Sequence, residues 1–253
     1  LTDSIMNDFS YYMPTRIIWG ADCLKKQGGF IRSTGKRALV ITGKNSARAC
    51  GVLDDLTDCL RNNGITFDVF SDVEPNPSIA TARRAADTAR SFDADMIIAA
   101  GGGSPLDAGK AAALLAGNDL PDEDLFSGRF TGQVLPVIAV PTTAGTGSEV
   151  TPYSILTDPL MQTKRNLKSE KLFPVMAFLD SRYTDSLSAQ VTADTAMDAL
   201  THAVEGYLSA RAMPVTDTFA LRAVSMLGAG LSILAAKSPD RQDRDRFMYA
   251  SML

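Results

Sequence analysis

Short apolar runs alternate with segments of helical periodicity over the first 185 residues of the chain. The apolar runs have the length and the β-branched content of buried strands. The predicted strands cover residues 38–42, 66–70, 95–100, 135–140 and 175–180, and the predicted helices lie near 46–63, 78–92 and 104–117. This alternation is typical of an α/β fold with a mainly parallel sheet covered by helices.

After residue 185 the pattern changes to helical periodicity alone. It continues through residues 190–210 and 216–237 without a further strand-like run. We therefore expect an α/β domain over residues 1–185, followed by the beginning of an all-helical domain over residues 186–253.

Both ends of the sequence are expected to be cut. Leu1 is not an initiator, and Met6 is a candidate natural start. At the other end, the run RQDRDR at 241–246 indicates a solvated helix start. The sequence stops a few turns later, at Leu253, without a Gly or Pro signal.

Composition limits the partners and the compartment. The chain has 253 residues, 45% of them apolar, a net charge of −4 and a pI near 5.1. An acidic chain gives no support for binding to nucleic acid or to an anionic membrane. The three cysteines form no C-x-x-C pair, and the N-terminus lacks the pattern of a signal peptide. A soluble cytoplasmic protein without a membrane span is expected.

A glycine cluster separates a predicted buried strand from the helix that follows it. The backbone N–H groups from Gly101 to Ser104 can approach phosphate oxygens at the positive end of that helix. The dinucleotide fingerprint G-x-G-x-x-G would need glycine at Leu106, and a P-loop would need a hydroxyl at Ala111. Phosphate binding is therefore favoured without ATP chemistry, and a tight turn that needs only positive φ is the alternative.

A second loop of this type, PTTAGTGSEVT at 141–151, follows the predicted strand at 135–140. Its glycines, Gly145 and Gly147, give access to the backbone, and its Ser and Thr side chains are small hydrogen-bond donors. Ligands of open α/β sheets bind beyond the carboxyl ends of the strands. Two such loops facing one crevice favour a Rossmann-like dinucleotide site, and a polar surface turn is the alternative.

The only histidine of the chain, His202, stands four residues after Asp198. On a helix these side chains project from one face about one turn apart. Either they form an ordinary surface pair, which the spacing alone favours, or they ligate one metal ion. Two glutamates inside the motifs, Glu149 and Glu205, are expected to face solvent or to act as structural partners.

Three long motifs together resemble a known family. GGGSPLDAGKA at 101–111, PTTAGTGSEVT at 141–151 and MDALTHAVEGY at 197–207 are similar to those of the iron-containing (group III) metal-dependent alcohol dehydrogenases, and within them to the butanol dehydrogenase type. FSYYMPTRIIWG, VEPNPS and YSILTD fit the same pattern. The resemblance implies a dehydroquinate synthase-like architecture, with Fe²⁺ or Zn²⁺ in the cleft between the two domains.

The resemblance also implies roles for single residues. Asp198 and His202 become two metal ligands. Asp107, one turn into the phosphate helix, orients the substrate or the nicotinamide, or is merely a first-turn acid favoured by the helix dipole. The remaining cofactor contacts are Gly102, Gly103 and Ser104 on the pyrophosphate, Thr142, Thr143 and Thr146 along the cofactor, Asn76 near the adenosine half, and Lys164.

The choice between NADP and NAD depends on the end of the strand at 38–42. NAD-preferring relatives carry an aspartate there, which binds the ribose 2′-hydroxyl and repels a 2′-phosphate. This sequence has Gly43, followed by Lys44, Asn45 and Ser46. Losing the carboxylate and gaining a cation favours NADP, whereas a glycine that only turns the chain would leave both cofactors acceptable.

The function implied is hydride transfer between NAD(P)(H) and a small alcohol or aldehyde, in a homodimer. The metal would polarise the aldehyde carbonyl or stabilise the alkoxide. Family members draw two further histidine ligands from a later segment that this sequence does not contain, so the prediction concerns the parent protein. The alternatives are a non-catalytic nucleotide-binding module and an enzyme of the glycerol dehydrogenase or dehydroquinate synthase kind.

Overall fold

The computed structural model describes residues 8–128, 130–159, 161–234 and 239–253, so the candidate start Met6 lies outside it. The strands in this part of the chain are β1 (Arg16–Trp19), β2 (Arg37–Gly43), β3 (Thr66–Val73), β4 (Met96–Gly101), β5 (Val137–Pro141), β6 (Tyr153–Asp158), β7 (Thr163–Lys168) and β8 (Met176–Leu179). The α-helices are α1 (Cys23–Gln27), α2 (Ser46–Ala49), α3 (Val52–Asn62), α4 (Ile79–Ser91), α5 (Gly103–Ala116), α6 (Ala189–Leu208), α7 (Pro214–Leu234) and α8 (Arg241–Met252).

Six strands form one sheet in the order β1-β8-β5-β4-β2-β3, and every neighbouring pair is parallel. The three strands at its centre, β8, β5 and β4, are buried along their whole length, as expected for a sheet with helices on both faces. Gly101 at the end of β4 pairs with Pro141 at the end of β5. The loops that follow these two strands therefore leave the sheet side by side, and the predicted mainly parallel α/β fold is confirmed.

The sequence pattern missed three strands. β1 is a short edge strand with a single buried residue, Ile18, so its apolar signal is weak. β6 and β7 form a separate antiparallel hairpin. The β7 segment TKRNLK buries only Leu167, and such a polar strand shows no alternation from which it could be predicted.

The helix predicted near 46–63 was wrong as one element. The chain forms two helices, α2 and α3, separated by Cys50 and Gly51. Gly51 has φ +81°, a left-handed conformation that interrupts a helix and that glycine adopts at little cost.

Helices alone follow residue 185 in the described residues, as the periodicity predicted. α6, α7 and α8 pack on one face of the sheet through a shared apolar cluster that includes Ala139, Ala196 and Leu227. The expectation of a solvated start for α8 was wrong at two positions. Asp243 is buried in a capping box with Asp240, and the Arg244 guanidinium is buried where it donates to the Thr184 and Leu187 carbonyls.

Helix α5 lies unusually close to β4. A Cβ built on Gly109 would come within 2.7 Å of the Ala99 Cβ, closer than real Cβ atoms approach one another. Glycine at this position therefore sets the distance between the helix and the sheet, and with it the position of the helix N-terminus above the strand ends.

Gly109→Ala is expected to lower the free energy of unfolding by about 1–3 kcal/mol, because the added methyl overpacks a helix–sheet contact. Urea denaturation measures the change. Gly228→Ala is the matched control, since it places the same methyl on exposed α7 with nothing within 4 Å. The control should stabilise by about 0.5–1 kcal/mol through helix propensity. Equal effects of the two substitutions would contradict the packing argument.

Candidate functional site

A cavity of about 900 Å³ opens beyond the carboxyl ends of the central strands. Its wall combines the start of α5, the second loop, the β6–β7 hairpin and the helices α6, α7 and α8. The predicted site residues on this wall are Asn76, Gly103, Ser104, Asp107, Thr146, Lys164, Asp198 and His202. The two predicted loops and the Asp–His pair therefore meet around one space.

The glycine cluster combines a tight turn with the start of a helix. Gly101 has φ +150°, the positive φ that a tight turn needs, and Gly102 is the N-cap of α5. Because Gly102 provides no side-chain cap, the backbone N–H groups in the first turn of α5 remain available to an anion.

The glycine cluster and the second loop pack directly against each other. A Cβ on Gly102 would lie 3.2 Å from Thr143, and one on Gly103 would lie 2.8 Å from the Thr146 Cγ2. Thr142 is buried, and its N–H donates to the Gly101 carbonyl at 2.9 Å. Of the three threonines expected along the cofactor, Thr146 lies on the cavity wall, whereas Thr142 and Thr143 hold the two loops together.

The second loop also reaches the helical part of the chain. A Cβ on Gly145 would lie 3.0 Å from the Thr195 carbonyl of α6, and one on Gly147 would lie 3.0 Å from the Ser251 carbonyl of α8. The second loop therefore packs against α6 and α8 as well as against the glycine cluster.

Asn76 is hydrogen-bonded to the glycine cluster and to β6. It has φ +55°, and its N–H donates to the Ser104 Oγ at 3.1 Å. Its carbonyl accepts a hydrogen bond from the Thr157 Oγ1 at 3.0 Å, which ties the segment to β6. Lys164, on β7, contributes a cation to the same wall.

The segment Gly43–Ser46 lies at the end of β2, next to the glycine cluster. A Cβ on Gly43 would lie 3.9 Å from Pro105 and 3.3 Å from the Ser46 Oγ. The Lys44 Nζ lies 3.4 Å from the Asp72 Oδ1, and Arg84 donates to the other oxygen of Asp72 at 3.1 Å. Two exposed cations, Lys44 and Arg84, therefore share the Asp72 carboxylate beside this turn.

Asp198 and His202 lie one turn apart on α6, as the spacing predicted. The Asp198 Oδ1 is 3.8 Å from the His202 Nε2, and each side chain is about half exposed, 46% and 52%. Carboxylate and imidazole are suitable ligands for Fe²⁺ or Zn²⁺. No group of three or more such ligands occurs in the part of the chain that the structure describes, so this pair fits a metal as two ligands of a larger set.

A buried polar cluster behind the cavity wall was not predicted. Lys110 is fully buried, and its Nζ donates to the Ser148 Oγ at 2.8 Å, the Thr151 carbonyl at 2.9 Å and the Tyr153 carbonyl at 2.8 Å. Burial lowers the pKa of Lys110 to about 8, partly offset by the charges of Asp107 and Glu149. The one sequence signal, a lysine among the apolar residues of α5, was not used in the sequence analysis.

Asp107 belongs to this cluster rather than to the first turn of α5. One carboxylate oxygen accepts from the Ser148 hydroxyl at 2.6 Å, and the other accepts from the Ile155 N–H at 3.0 Å. Burial raises the pKa of Asp107, while Lys110 and these hydrogen bonds oppose the shift. The alternative of a first-turn acid was wrong, because the helix begins at Gly103.

The two glutamates inside the motifs differ in their exposure to solvent. Glu205 is exposed, as expected, but Glu149 is only 3% exposed. Desolvation raises the pKa of Glu149 to about 7, with its own backbone N–H and Lys110 acting in the opposite direction. Of the two alternatives stated for this position, the solvent-facing side chain was wrong, and the structural partner remains, beside Lys110.

Two family models together match most of the chain. The family model "Iron-containing alcohol dehydrogenase" matches residues 14–181, and "Fe-containing alcohol dehydrogenase family, C-terminal" matches residues 192–253. A sulfoacetaldehyde reductase of Bilophila wadsworthia is 34% identical over 97% of this chain and 64% of its own length. An NADPH-dependent butanol dehydrogenase of Clostridium saccharobutylicum is 33% identical over 96% and 62%.

A solved structure has the same fold. The iron-containing alcohol dehydrogenase of Thermotoga maritima is 44% identical and superposes with a TM-score of 0.91, covering 97% of this chain and 67% of its own. The chain therefore spans somewhat less than two thirds of the length of the two curated relatives.

The buried Glu149 predicts a pH-dependent stability. Its carboxyl holds a proton more tightly in the folded chain than in the unfolded one, so folding takes up a proton between pH 4.5 and about 7. Over that window the free energy of unfolding should fall as the pH rises. Glu149→Gln removes this pH-dependent loss of stability. The free energy of unfolding of the variant, relative to that of the parent chain, should therefore increase from pH 4.5 to 7, by up to about 3 kcal/mol, and then level off.

Urea denaturation at a series of pH values provides the measurement. Glu170→Gln removes an exposed carboxylate from the surface and controls for the change in net charge. A Glu149→Gln difference that stays constant across the window would show that the buried carboxyl does not titrate there.

Proposed function

This chain belongs to the iron-containing alcohol dehydrogenase family, and on that premise we propose that its parent protein transfers a hydride between NADP(H) and a small alcohol or aldehyde. One observation carries the proposal: a single cavity is lined both by Gly103 and Ser104 at the start of α5 and by Asp198 and His202 on α6. A dinucleotide and a metal-bound substrate would share that space.

The cofactor is held by the nucleotide side of the cavity. The pyrophosphate lies on Gly102, Gly103 and Ser104, where the uncapped helix N-terminus favours anions. Asn76 and Lys164 contact the cofactor from the β6–β7 side. Thr146 lines it, while Thr142 and Thr143 support the loop from behind.

Asp198 and His202 supply two ligands of a divalent metal, Fe²⁺ or Zn²⁺. When bound, the metal provides a Lewis acid for the carbonyl or alkoxide oxygen. The other ligands would come from the part of the relatives' length that this chain does not span. The chain's own residues bind and orient the dinucleotide, and the apolar wall around Phe219 and Met252 excludes water from the hydride transfer.

The preference for NADP rests on the segment Gly43–Ser46. Lys44 and Arg84 provide two cations beside the strand end, and there is no carboxylate at position 43 to repel a 2′-phosphate. An NADPH-dependent relative is consistent with this choice.

The domain division at residues 185 and 186 is supported by the element order, since the last strand ends at Leu179 and α6 begins at Ala189. The homodimer and the cytoplasmic location remain predictions from the resemblance. Within the described residues, no helix combines the length and the apolarity needed to cross a membrane.

The function is tested with the whole protein that contains this chain. NADPH oxidation with short-chain aldehydes is expected to depend on added Fe²⁺ or Zn²⁺ and to stop with a chelator, because the carbonyl then lacks its Lewis acid. His202→Ala should abolish turnover but leave the Kd for NADPH unchanged. Binding of NADPH without metal-dependent turnover would indicate a non-catalytic nucleotide-binding module. Turnover restricted to polyols or sugar phosphates would indicate the glycerol dehydrogenase or dehydroquinate synthase kind.

Cofactor choice has its own test. Gly43→Asp is expected to raise the Kd for NADPH at least about tenfold, because the new carboxylate repels the 2′-phosphate, and to leave the Kd for NADH equal or lower. Gly43→Ala is the matched control, since it adds the same Cβ without the charge. If both substitutions weaken NADPH equally, the glycine serves the turn alone and the NADP preference has another source.

A further inference from the structure

A short segment of the chain connects the sheet to the helices α6, α7 and α8. The last strand, β8, ends at Leu179, and α6 begins at Ala189. Residues 180–188 between them form the connecting segment. Because α6 carries Asp198 and His202, the conformation of the connecting segment affects where this pair lies relative to the strand ends.

Apolar packing within the described chain restrains α6 only weakly. The helix has 20 residues, of which Thr192, Ala196 and Ala199 are buried. Such small side chains bury little apolar area and interdigitate little with their neighbours, so they define the position of the helix poorly. Polar contacts at the start of α6 therefore have a large share in fixing it.

The buried Arg244 of α8 binds the connecting segment at several points. Its guanidinium donates to the Thr184 carbonyl and, at 3.2 Å, to the Leu187 carbonyl. Its Nε lies 3.5 Å from the Asp185 Oδ1, and another N–H donates at 3.4 Å to the Thr192 Oγ1 near the start of α6. Because the donors of a planar guanidinium have fixed directions, these contacts restrain the orientation of the segment as well as its position.

Two neighbouring side chains of α8 bind the beginning of the connecting segment. Arg241 donates to the Ser181 Oγ at 3.1 Å and forms an ion pair with Asp185. The Ser181 hydroxyl in turn donates to Asp245. Together with Arg244, these residues attach the N-terminal half of α8 to the connecting segment from its beginning to its end.

The C-terminal end of α8 lies on the cavity wall. Residues 250–253 line the cavity, and a Cβ on Gly147 of the second loop would lie 3.0 Å from the Ser251 carbonyl. The helix has 12 residues and is therefore about 18 Å long. It contacts the connecting segment at one end and the second loop at the other, so it holds these two parts of the chain at a fixed distance.

The proposed reaction depends on that distance. Hydride passes directly between the nicotinamide and the substrate carbon, so a cofactor bound at α5 and the second loop must lie against a substrate bound near Asp198 and His202. A misplacement of about 1 Å between reacting groups can slow a reaction about a hundredfold. Arg244 itself lies off the cavity wall, so its effect on turnover passes through the connecting segment and α6.

We infer that Arg244 is a positioning residue, which acts through the connecting segment to set the place of α6, and with it of Asp198 and His202, relative to the dinucleotide site. This inference rests on the proposed function. It assigns a role in hydride transfer to a buried arginine that contacts neither the cofactor nor the metal ligands.

The test compares two arginines of α8 in the whole protein that contains this chain. Arg244→Met removes the contacts with the connecting segment. Arg246→Met is the matched control, because it removes the same guanidinium from the same helix, where the ion pair of Arg246 with Asp243 at 3.2 Å lies within α8.

Arg244→Met is expected to lower kcat for NADPH oxidation about tenfold or more, and to leave the Kd for NADPH and the bound metal content unchanged. The primary deuterium isotope effect, measured with deuterium as the transferred hydrogen of NADPH, should rise, because a longer distance slows hydride transfer relative to product release. A loss of folded protein would lower kcat without changing the isotope effect. Arg246→Met should change none of these quantities.

A second measurement needs no turnover. The Leu187 N–H donates at 3.0 Å to the Thr184 carbonyl, which also accepts from Arg244. Amide hydrogen exchange at Leu187 should therefore become at least about tenfold faster in Arg244→Met, and should stay unchanged in Arg246→Met.

Arg241→Met decides the matter where Arg244→Met does not fold. The side chain of Arg241 is 43% exposed, so the fold should tolerate its loss. The substitution removes the contacts with Ser181 and Asp185. The isotope effect and the exchange rates of the connecting segment should change in the same direction, with a fall in kcat of about threefold.

The other outcomes overturn the inference in different ways. An unchanged isotope effect in Arg244→Met, or in Arg241→Met where it replaces that variant, would leave the connecting segment a structural role only, while the dehydrogenase function stands. Equal changes in Arg246→Met would assign them to the charge of α8. A raised Kd for NADPH would place the effect inside the dinucleotide site. Failure of the unmodified protein to oxidise NADPH would overturn the proposed function itself, and this inference with it.

Discussion

The wall of the cavity depends on one buried cation. An ammonium group removed from water costs several kcal/mol unless hydrogen bonds replace its solvation, and Lys110 is fully buried. Its acceptors belong to the second loop and to the start of β6, so satisfying the charge fixes both segments on α5. Gly109 in turn fixes α5 on β4. The positions of the glycine cluster, the second loop and the hairpin are thereby fixed relative to one another.

The parts of this arrangement that the sequence predicts are those with a local signal. Buried parallel strands are continuous apolar runs, the glycine cluster stands out at a strand end, and Asp198 and His202 are related by one helix turn. The break at Gly51 was missed because periodicity continues across it in the sequence. The strand β7 was missed because an exposed strand of a two-stranded hairpin has little apolar character.

The buried cluster has no local signal at all. The three partners of Lys110 lie 38, 41 and 43 residues further along the chain, and only the fold brings them together. The same holds for Glu149, whose motif position suggests a surface side chain until the second loop is seen to pack between the glycine cluster and α6. Sequence reasoning therefore identified residues that line the cavity, but not the residues that hold its wall in place.

The distribution of charge explains how an anionic cofactor could enter a cavity that carries two carboxylates. Asp107 is linked to the Lys110 ammonium through Ser148, and Asp198 faces His202 and the proposed metal. With the proposed metal bound, each carboxylate would have its own positive partner and would oppose the cofactor phosphates little. The N-terminus of α5 and the side chain of Lys164 then remain as the attractive features for the phosphates. Under the proposed function, the phosphate-bearing part of a dinucleotide would therefore be favoured at the N-terminus of α5 and disfavoured beside Asp107.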